Sequence, residues 1–156
     1  MAQVLTVHVD HNPFLDGRMP TIVRLDWTSD SSGNVSKAIA ATYAAAQLSA
    51  AGGNISVVQP IKIRGELAMI EVIPGVNGDL TTNLPTASYS ITLLDKYGYD
   101  IAAGFLSSNS HSVATQQIPQ NKFPQVDSEL TLTIANAGSG AQGRIIIHFK
   151  ESENRP

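Results

Sequence analysis

The feature of this sequence that most limits its possible folds is an alternation of apolar and polar residues, which is clearest in residues 89–104. Every second residue from Tyr89 to Leu93 is apolar, as in a strand that is buried on one face. Residues 95–98, Asp-Lys-Tyr-Gly, have the composition of a hairpin turn, and the alternation resumes after them from Tyr99 to Ala103. Because an isolated hairpin is barely stable in water, the pattern predicts that these residues belong to a larger sheet.

The same period of two predicts strands along most of the chain. In residues 21–27 it places Val23, Leu25 and Trp27 on one face, and the single tryptophan is expected to anchor the core. Further strands are predicted over residues 3–10, 55–63, 67–73, 130–134 and 144–149. The last two are expected to form a second hairpin. Strands at this spacing, separated by turn signals, predict an all-β fold, an antiparallel β-sandwich or jelly roll, in a single domain covering 1–156.

Residues 36–51 are the one segment whose composition favours a helix. The sequence SKAIAATYAAAQLSAA is rich in alanine, Ser36 can serve as the N-cap, and Gly52-Gly53 supplies a C-terminal stop. Its apolar residues form only a weak stripe, so we expect one short Ala-rich helix that rests on the sheet. The alternative is an Ala-rich extended segment.

The composition argues against several classes of protein. The chain has no cysteine, which excludes disulfides, thiolate metal sites and a cysteine nucleophile. Its net charge is −3 and its 10 basic residues are scattered, so no nucleic-acid partner is expected. No apolar stretch approaches the ~20 residues of a membrane span, so no membrane partner is expected. Only 15% of the residues are charged, and such a polar but uncharged surface favours burial against neighbouring subunits.

Two short patterns suggest chemistry, but neither has the context that the chemistry requires. Residues 138–143, GSGAQG, match a dinucleotide-binding pattern, yet the segment after them is a predicted strand where a helix is needed. In the segment 8–11, His-Val-Asp-His, strand geometry places the second histidine on the face opposite the first. The sequence shows no carboxylate that is placed to orient His111 or His148 as in a catalytic triad. We therefore expect no enzyme activity, no cofactor and no bound metal.

Two loops, near residues 12–20 and 106–127, are the candidate contact surfaces. The second is rich in Ser, Asn and Gln and is interrupted by two prolines, and long loops in compact domains often contact a partner. An ordinary loop packed on its own domain is the alternative. The residues that we expect to make contacts are Phe14, Leu15, Arg18, His111, Gln116, Gln117 and Lys122. The charged tail, residues 151–156, is expected to fray.

Four segments occur in a distinctive order along the chain. They are W-T-S-D-x-x-G at 27–33, G-x-L-x-x-I-x-x-x-P-G at 65–75, Y-x-I-T-L-L-D-x-x-G-Y-D-I-x-x-G at 89–104, and L-T-L-x-I-A-N-A-G followed by G-R-I-I-I-H-F within 130–149. This order, which covers about half of the chain, resembles a family of small virion structural proteins of tailed bacteriophages.

The resemblance implies a capsid decoration or cement protein that stabilises the head by bridging major capsid subunits. It implies a homo-oligomer located in virions that assemble in the cytoplasm of a bacterial host, and it supplies no catalytic residues. A head–tail connector, tail or fibre-base component of the virion is one alternative. A carbohydrate-binding β-sandwich, in which Tyr97 and Tyr99 stack on sugar rings, is a second.

Overall fold

A computed structural model describes residues 2–10, 21–45, 55–60, 62–117 and 125–150. Within these ranges the protein is all-β and its strands pair in antiparallel fashion, as the alternation predicts; the single helical element described there is a short 3-10 turn, Val76–Gly78. The strands are β1 (Val4–Asp10), β2 (Thr21–Thr28), β3 (Val35–Ala38), β4 (Ala40–Ala45), β5 (Ile55–Pro60), β6 (Lys62–Pro74), β7 (Ser90–Leu94), β8 (Thr115–Gln117), β9 (Gln125–Glu129), β10 (Thr131–Ala135) and β11 (Gln142–Lys150).

Two sheets pack face to face around one core. The larger sheet has the order β1-β2-β11-β6-β8, with β9 also pairing with β6, and the smaller sheet has the order β3-β10-β7. Strands β4 and β5 form a separate pair. Alternate residues of both sheets are buried in a single apolar cluster, so the architecture is that of a β-sandwich. From the larger sheet this cluster includes Val23, Leu25, Trp27, Ile145, Ile147 and Phe149, and from the smaller sheet Val35, Ile91, Leu93, Leu132 and Ile134.

Strand β6 contains a bulge that changes which of its residues face the core. The pairing with β11 shifts between His148 and Phe149, so that Met69 and Leu67 have consecutive partners and Ala68 is left between them. Leu67 and Ile70 are therefore both buried, although strict alternation would place them on opposite faces. This irregularity explains why Leu67 is buried although it is out of step with Ile70 and Val72.

At one end of the sandwich, three loops cross between the two sheets. Residues 29–34 connect β2 to β3, residues 75–89 connect β6 to β7, and residues 136–141 connect β10 to β11. Backbone groups of these loops bond to one another and to the start of β11, as in the hydrogen bonds from Thr86 N to Ala137 O at 2.8 Å and from Gln142 N to Asn83 O at 2.8 Å. We call these three loops the tied end.

The prediction of a helix over 36–51 is wrong for the part that the structure describes. Residues 36–38 belong to β3 and residues 40–45 form β4, while residues 46–51 lie outside the described residues. In a helix, alanine is favoured over most other residue types by roughly 0 to 0.7 kcal/mol per residue, and tertiary contacts easily override so small a preference. Here β3 pairs with β10, and the side chains of Val35 and Ile39 are fully buried. The extended alternative is the correct one.

The predicted second hairpin is also wrong. Strand β10 pairs with β3 and β7 in the smaller sheet, whereas β11 pairs with β2 and β6 in the larger one. The alternation of both strands was predicted correctly, and the loop between them crosses from one sheet to the other. In the segment 106–127, predicted as a loop, the structure places the short strands β8 and β9, and residues 118–124 lie outside the described residues.

Candidate functional site

The connection between β7 and β8, residues 95–114, begins with a turn that is fixed by its own aspartate. We call this connection the return loop. Oδ1 of Asp95 accepts hydrogen bonds from Tyr97 N at 2.8 Å and from Tyr99 N at 3.0 Å. The backbone N–H of Asp95 donates to Tyr99 O at 2.8 Å, and Gly98 has the positive φ of 85° that the turn chemistry predicts. The turn is therefore held in one conformation without a binding partner.

The sequence predicts a regular returning strand over residues 99–103, but the structure has a series of turns there. A second aspartate, Asp100, holds these turns. Oδ1 of Asp100 accepts from Leu93 N and from Ala102 N, and Oδ2 accepts from Gly104 N, each at 3.0 Å. Because a side chain takes the place of the backbone acceptor opposite Leu93, the chain turns instead of continuing a ladder. The hairpin is thus correct in its first strand and its turn, but its return is a series of turns.

Farther along, a buried asparagine attaches the return loop to the edge of β7. Nδ2 of Asn109 donates to Tyr89 O at 2.9 Å and to Leu106 O at 2.7 Å. Leu106 O in turn accepts from Ile91 N at 2.9 Å, and the side chain of Leu106 is fully buried. Burial also raises the pKa of the Tyr89 hydroxyl well above its ordinary value. One side of the return loop is therefore part of the core.

The other side of the return loop exposes apolar side chains. Among the described residues, the large apolar side chains with the greatest exposed fractions are Tyr97 at 73%, Tyr99 at 71% and Val113 at 59%, and Phe105 on the same loop is about half exposed. The ammonium group of Lys96 lies 4.9 Å from the centre of the Tyr97 ring, within the range of a cation–π contact. Exposed aromatic groups on a rigid backbone are typical of surfaces that contact partners.

The structure places three of the seven predicted contact residues. His111 is exposed in the return loop, and Gln116 and Gln117 lie in β8 at the edge of the larger sheet. Nε2 of Gln116 donates to Glu71 Oε1 at 2.9 Å, so this side chain is already engaged within the protein. The remaining predicted residues, Phe14, Leu15, Arg18 and Lys122, lie outside the described residues.

A carboxylate beside His148 was missed by the sequence analysis. Nε2 of His148 lies 2.8 Å from Glu71 Oε2, and with Gln116 this contact links β11, β6 and β8 on the outer face of the larger sheet. The hydrogen bonds from His148 and Gln116 lower the pKa of Glu71 below its ordinary value. Glu71 and His148 are 77 positions apart, so only the strand register brings them together.

The described ranges contain neither a candidate metal site nor a candidate membrane-spanning helix. No group of three or more His, Cys, Asp or Glu side chains is arranged there so that it could hold a metal ion. Over the same residues, no helix has the length and apolar character that crossing a bilayer requires.

The chain was also compared with known proteins. No family model, no curated protein and no solved structure matches it.

Proposed function

We propose that this protein is a structural component of a bacteriophage virion, a capsid decoration or cement protein that stabilises the head by bridging major capsid subunits. The observation that carries the proposal is the return loop, where Tyr97, Tyr99, Phe105 and Val113 are exposed on a backbone that the protein fixes by itself. The order of the four sequence segments that resemble phage virion proteins supports it independently.

A fixed loop suits this function because little conformational entropy is lost when it binds. Ordering a flexible side chain or loop on association costs about 0.5–1.5 kcal/mol per immobilised side chain, and Asp95 and Asp100 have already ordered this backbone. Tyrosine is enriched in the centres of protein interfaces, where its ring adds large contact area with few rotatable bonds. The body behind the loop is a two-sheet sandwich, which gives a firm support.

A cement protein does not need a tight single contact. Many modest interfaces, repeated over a particle and linked through a homo-oligomer, add up to a large resistance against disruption. The low charged fraction of 15% agrees with a surface that is covered by neighbours in a virion. In this function the protein joins the particle in the cytoplasm of the bacterial host.

The test is a binding experiment with expanded capsids that lack the protein. Purified protein is expected to bind them in saturable fashion and to raise the temperature at which they disrupt, while capsids already saturated with it gain nothing. Electron microscopy with an antibody against the chain is expected to label the whole head surface. Label confined to one vertex or to the tail would replace this proposal by a connector, tail or fibre-base component.

A second candidate function, carbohydrate binding, is favoured by one specific observation. Tyr97 and Tyr99 flank Gly98 at the tip of a fixed turn, and both rings are more than two-thirds exposed, so they are available to stack on sugar rings. A glycan array probed with the wild-type protein and with the double variant Tyr97→Ser/Tyr99→Ser tests it. Signal from the wild type alone supports this function, and the absence of signal from the wild type removes it.

A further inference from the structure

A shallow pocket of about 360 Å³ lies on the outer face of the larger sheet, where β1, β2 and β11 are neighbours. Arg24 is at its centre, because the strand register places His8 opposite it on one side and Ile146 on the other. Val9 and Ile22 complete the lining. The pocket therefore combines one guanidinium group and an imidazole with apolar walls.

The charge of Arg24 is only weakly compensated within the protein. Among the described side chains, the carboxylate that pairs with it is Asp26, whose Oδ2 is 3.6 Å from Arg24 Nε, too far for a hydrogen bond. Asp26 is already engaged by Arg144, with Nε to Oδ1 at 2.6 Å and Nη2 to Oδ2 at 3.1 Å. Two guanidinium groups thus share one carboxylate. Arg24 Nε is buried and has no hydrogen-bond partner among the described residues, although its side chain is 39% exposed.

Two other carboxylates described on this sheet, Glu71 and Glu66, are each paired within the protein. Glu71 accepts from Gln116 and lies against His148, and Glu66 Oε2 is 3.5 Å from Lys150 Nζ. Among the side chains that the structure describes around this pocket, two guanidinium groups are therefore matched by a single carboxylate. A guanidinium group has five N–H donors, and a planar carboxylate matches the fork that they form.

We propose that this pocket receives an acidic side chain, Asp or Glu, from the protein that this chain binds. The carboxylate bonds to Arg24, and the methylene stem of the acidic residue packs between Ile22 and Ile146. The positive charge of Arg24 favours a carboxylate as the bound group. Small molecules usually bind in enclosed pockets, and this pocket is open on the face of the sheet, so a side chain on a protein surface fits it better. The inference rests on the proposed function, in which that protein is the major capsid protein.

The first experiment measures binding to expanded capsids for Arg24→Gln, Arg24→Lys and the matched control Lys37→Gln. Lys37 is an exposed cation on β3 of the other sheet. We expect Arg24→Gln to weaken binding by about 10- to 100-fold, the usual worth of a hydrogen bond to a charged group. Arg24→Lys keeps the charge and is expected to lose less, and Lys37→Gln is expected to bind like the wild type. Equal binding by Arg24→Gln and the wild type would overturn the proposal.

The second experiment is independent of any capsid. The Nε–H resonance of Arg24 is followed by ¹⁵N NMR during titration with N-acetyl-glutamate amide, with N-acetyl-glutamine amide as the uncharged control. We expect the glutamate derivative to shift the Arg24 signal and the glutamine derivative to leave it in place. If the wild type fails to bind capsids, the proposed function fails while this titration still decides the pocket chemistry. An Arg24 signal that ignores both probes overturns the pocket.

Discussion

The tied end and the return loop are both held by hydrogen bonds, but they use these bonds differently. At the tied end, one loop bonds to another, as between Ser29 N and Ala141 O and between Ala137 N and Gly33 O, both at 2.9 Å. In the return loop, Asp95 bonds to the backbone of its own turn. The tied end therefore joins the two sheets, whereas the return loop begins with a turn that its own aspartate fixes and keeps its outer side chains available for contact.

A pair of glycine variants tests this difference most severely. Gly33 and Gly98 both have positive φ, +81° and +85°, so alanine is strained at either position. At Gly33 the new Cβ would also lie 2.6 Å from the backbone N of Gly138, whereas at Gly98 nothing lies within 4 Å. We expect Gly98→Ala to lower the free energy of unfolding by about 1–2 kcal/mol and Gly33→Ala by about 2–5 kcal/mol.

Urea unfolding of the two variants and the wild type, monitored by tryptophan fluorescence and circular dichroism, gives these values. Coincident transitions from the two probes are needed before the free energies are compared. Equal losses for Gly33→Ala and Gly98→Ala would mean that the close approach of the loops at the tied end is loose.

The next largest losses in the free energy of unfolding are expected from a pair of serine variants. The fully buried Ser29 Oγ donates to Gly138 O at 2.6 Å and accepts from Ala141 N at 2.9 Å. Ser128 Oγ accepts from Lys96 N at 2.9 Å, at the start of the return loop. Ser29→Ala leaves buried groups unpaired and is expected to cost about 1–3 kcal/mol. Ser128 is also buried, but Lys96, whose N–H it accepts from, lies in an exposed turn where water can take over this bond. Ser128→Ala is therefore expected to cost about 0.5–1.5 kcal/mol. Amide hydrogen exchange of Ala141 and Lys96 locates each loss, and the reverse order would contradict the comparison.

The sequence predicted burial well and pairing poorly. The alternation at Leu130, Leu132 and Ile134 marks the buried face correctly, because a strand with one face in the core must repeat every second residue. It does not say which strand is the neighbour. The turn composition of residues 136–141 fits a hairpin as well as a crossing between sheets, and the structure has the crossing.

In the candidate site, too, features formed by residues close in sequence were predictable and features formed by distant strands were not. The turn at Asp95 was predictable, since the carboxylate, the backbone it binds and Gly98 are close in sequence. The contact of Glu71 with His148 and the pocket around Arg24 depend on the register of distant strands, which a single sequence does not contain. The exposed tyrosines were visible in the sequence, but their exposure follows from the fold.

Acid is expected to weaken the tied end through the carboxylate of Asp79. Oδ1 of Asp79 accepts from Thr81 N and Thr82 N, both at 2.9 Å, and these bonds lower the pKa of Asp79 from 3.8 to about 2. The folded pKa is below the unfolded one, so this carboxylate stabilises the fold above about pH 4 and the contribution is lost as the pH falls toward 2. Carboxyl ¹³C NMR is expected to show the Asp79 midpoint near the lower value. The Asp79→Asn variant is expected to lose this pH dependence of stability. A titration midpoint near 3.8 for Asp79 in the wild type would contradict the prediction.

The smallest expected effect on stability belongs to the double variant Tyr97→Ser/Tyr99→Ser, and this variant gives the clearest separation of the two regions. Both rings are mostly exposed and the turn is held by backbone bonds to Asp95, so the free energy of unfolding is expected to change by less than about 0.5 kcal/mol. Binding to expanded capsids is expected to fall by at least about 10-fold, since truncating a tyrosine at the centre of an interface commonly costs more than 1 kcal/mol.

The matched control is Thr86→Ala at the tied end, where the exposed Thr86 hydroxyl donates to Asn136 O. We expect this variant to lose stability by about 0.5–1.5 kcal/mol and to bind capsids like the wild type below its unfolding temperature. Changes at the tied end would then affect stability alone and changes in the return loop would affect capsid binding alone, as expected if only the return loop contacts the capsid. A tyrosine variant that unfolds early, or one that binds capsids at full strength, would show that the return loop does not have the function proposed for it.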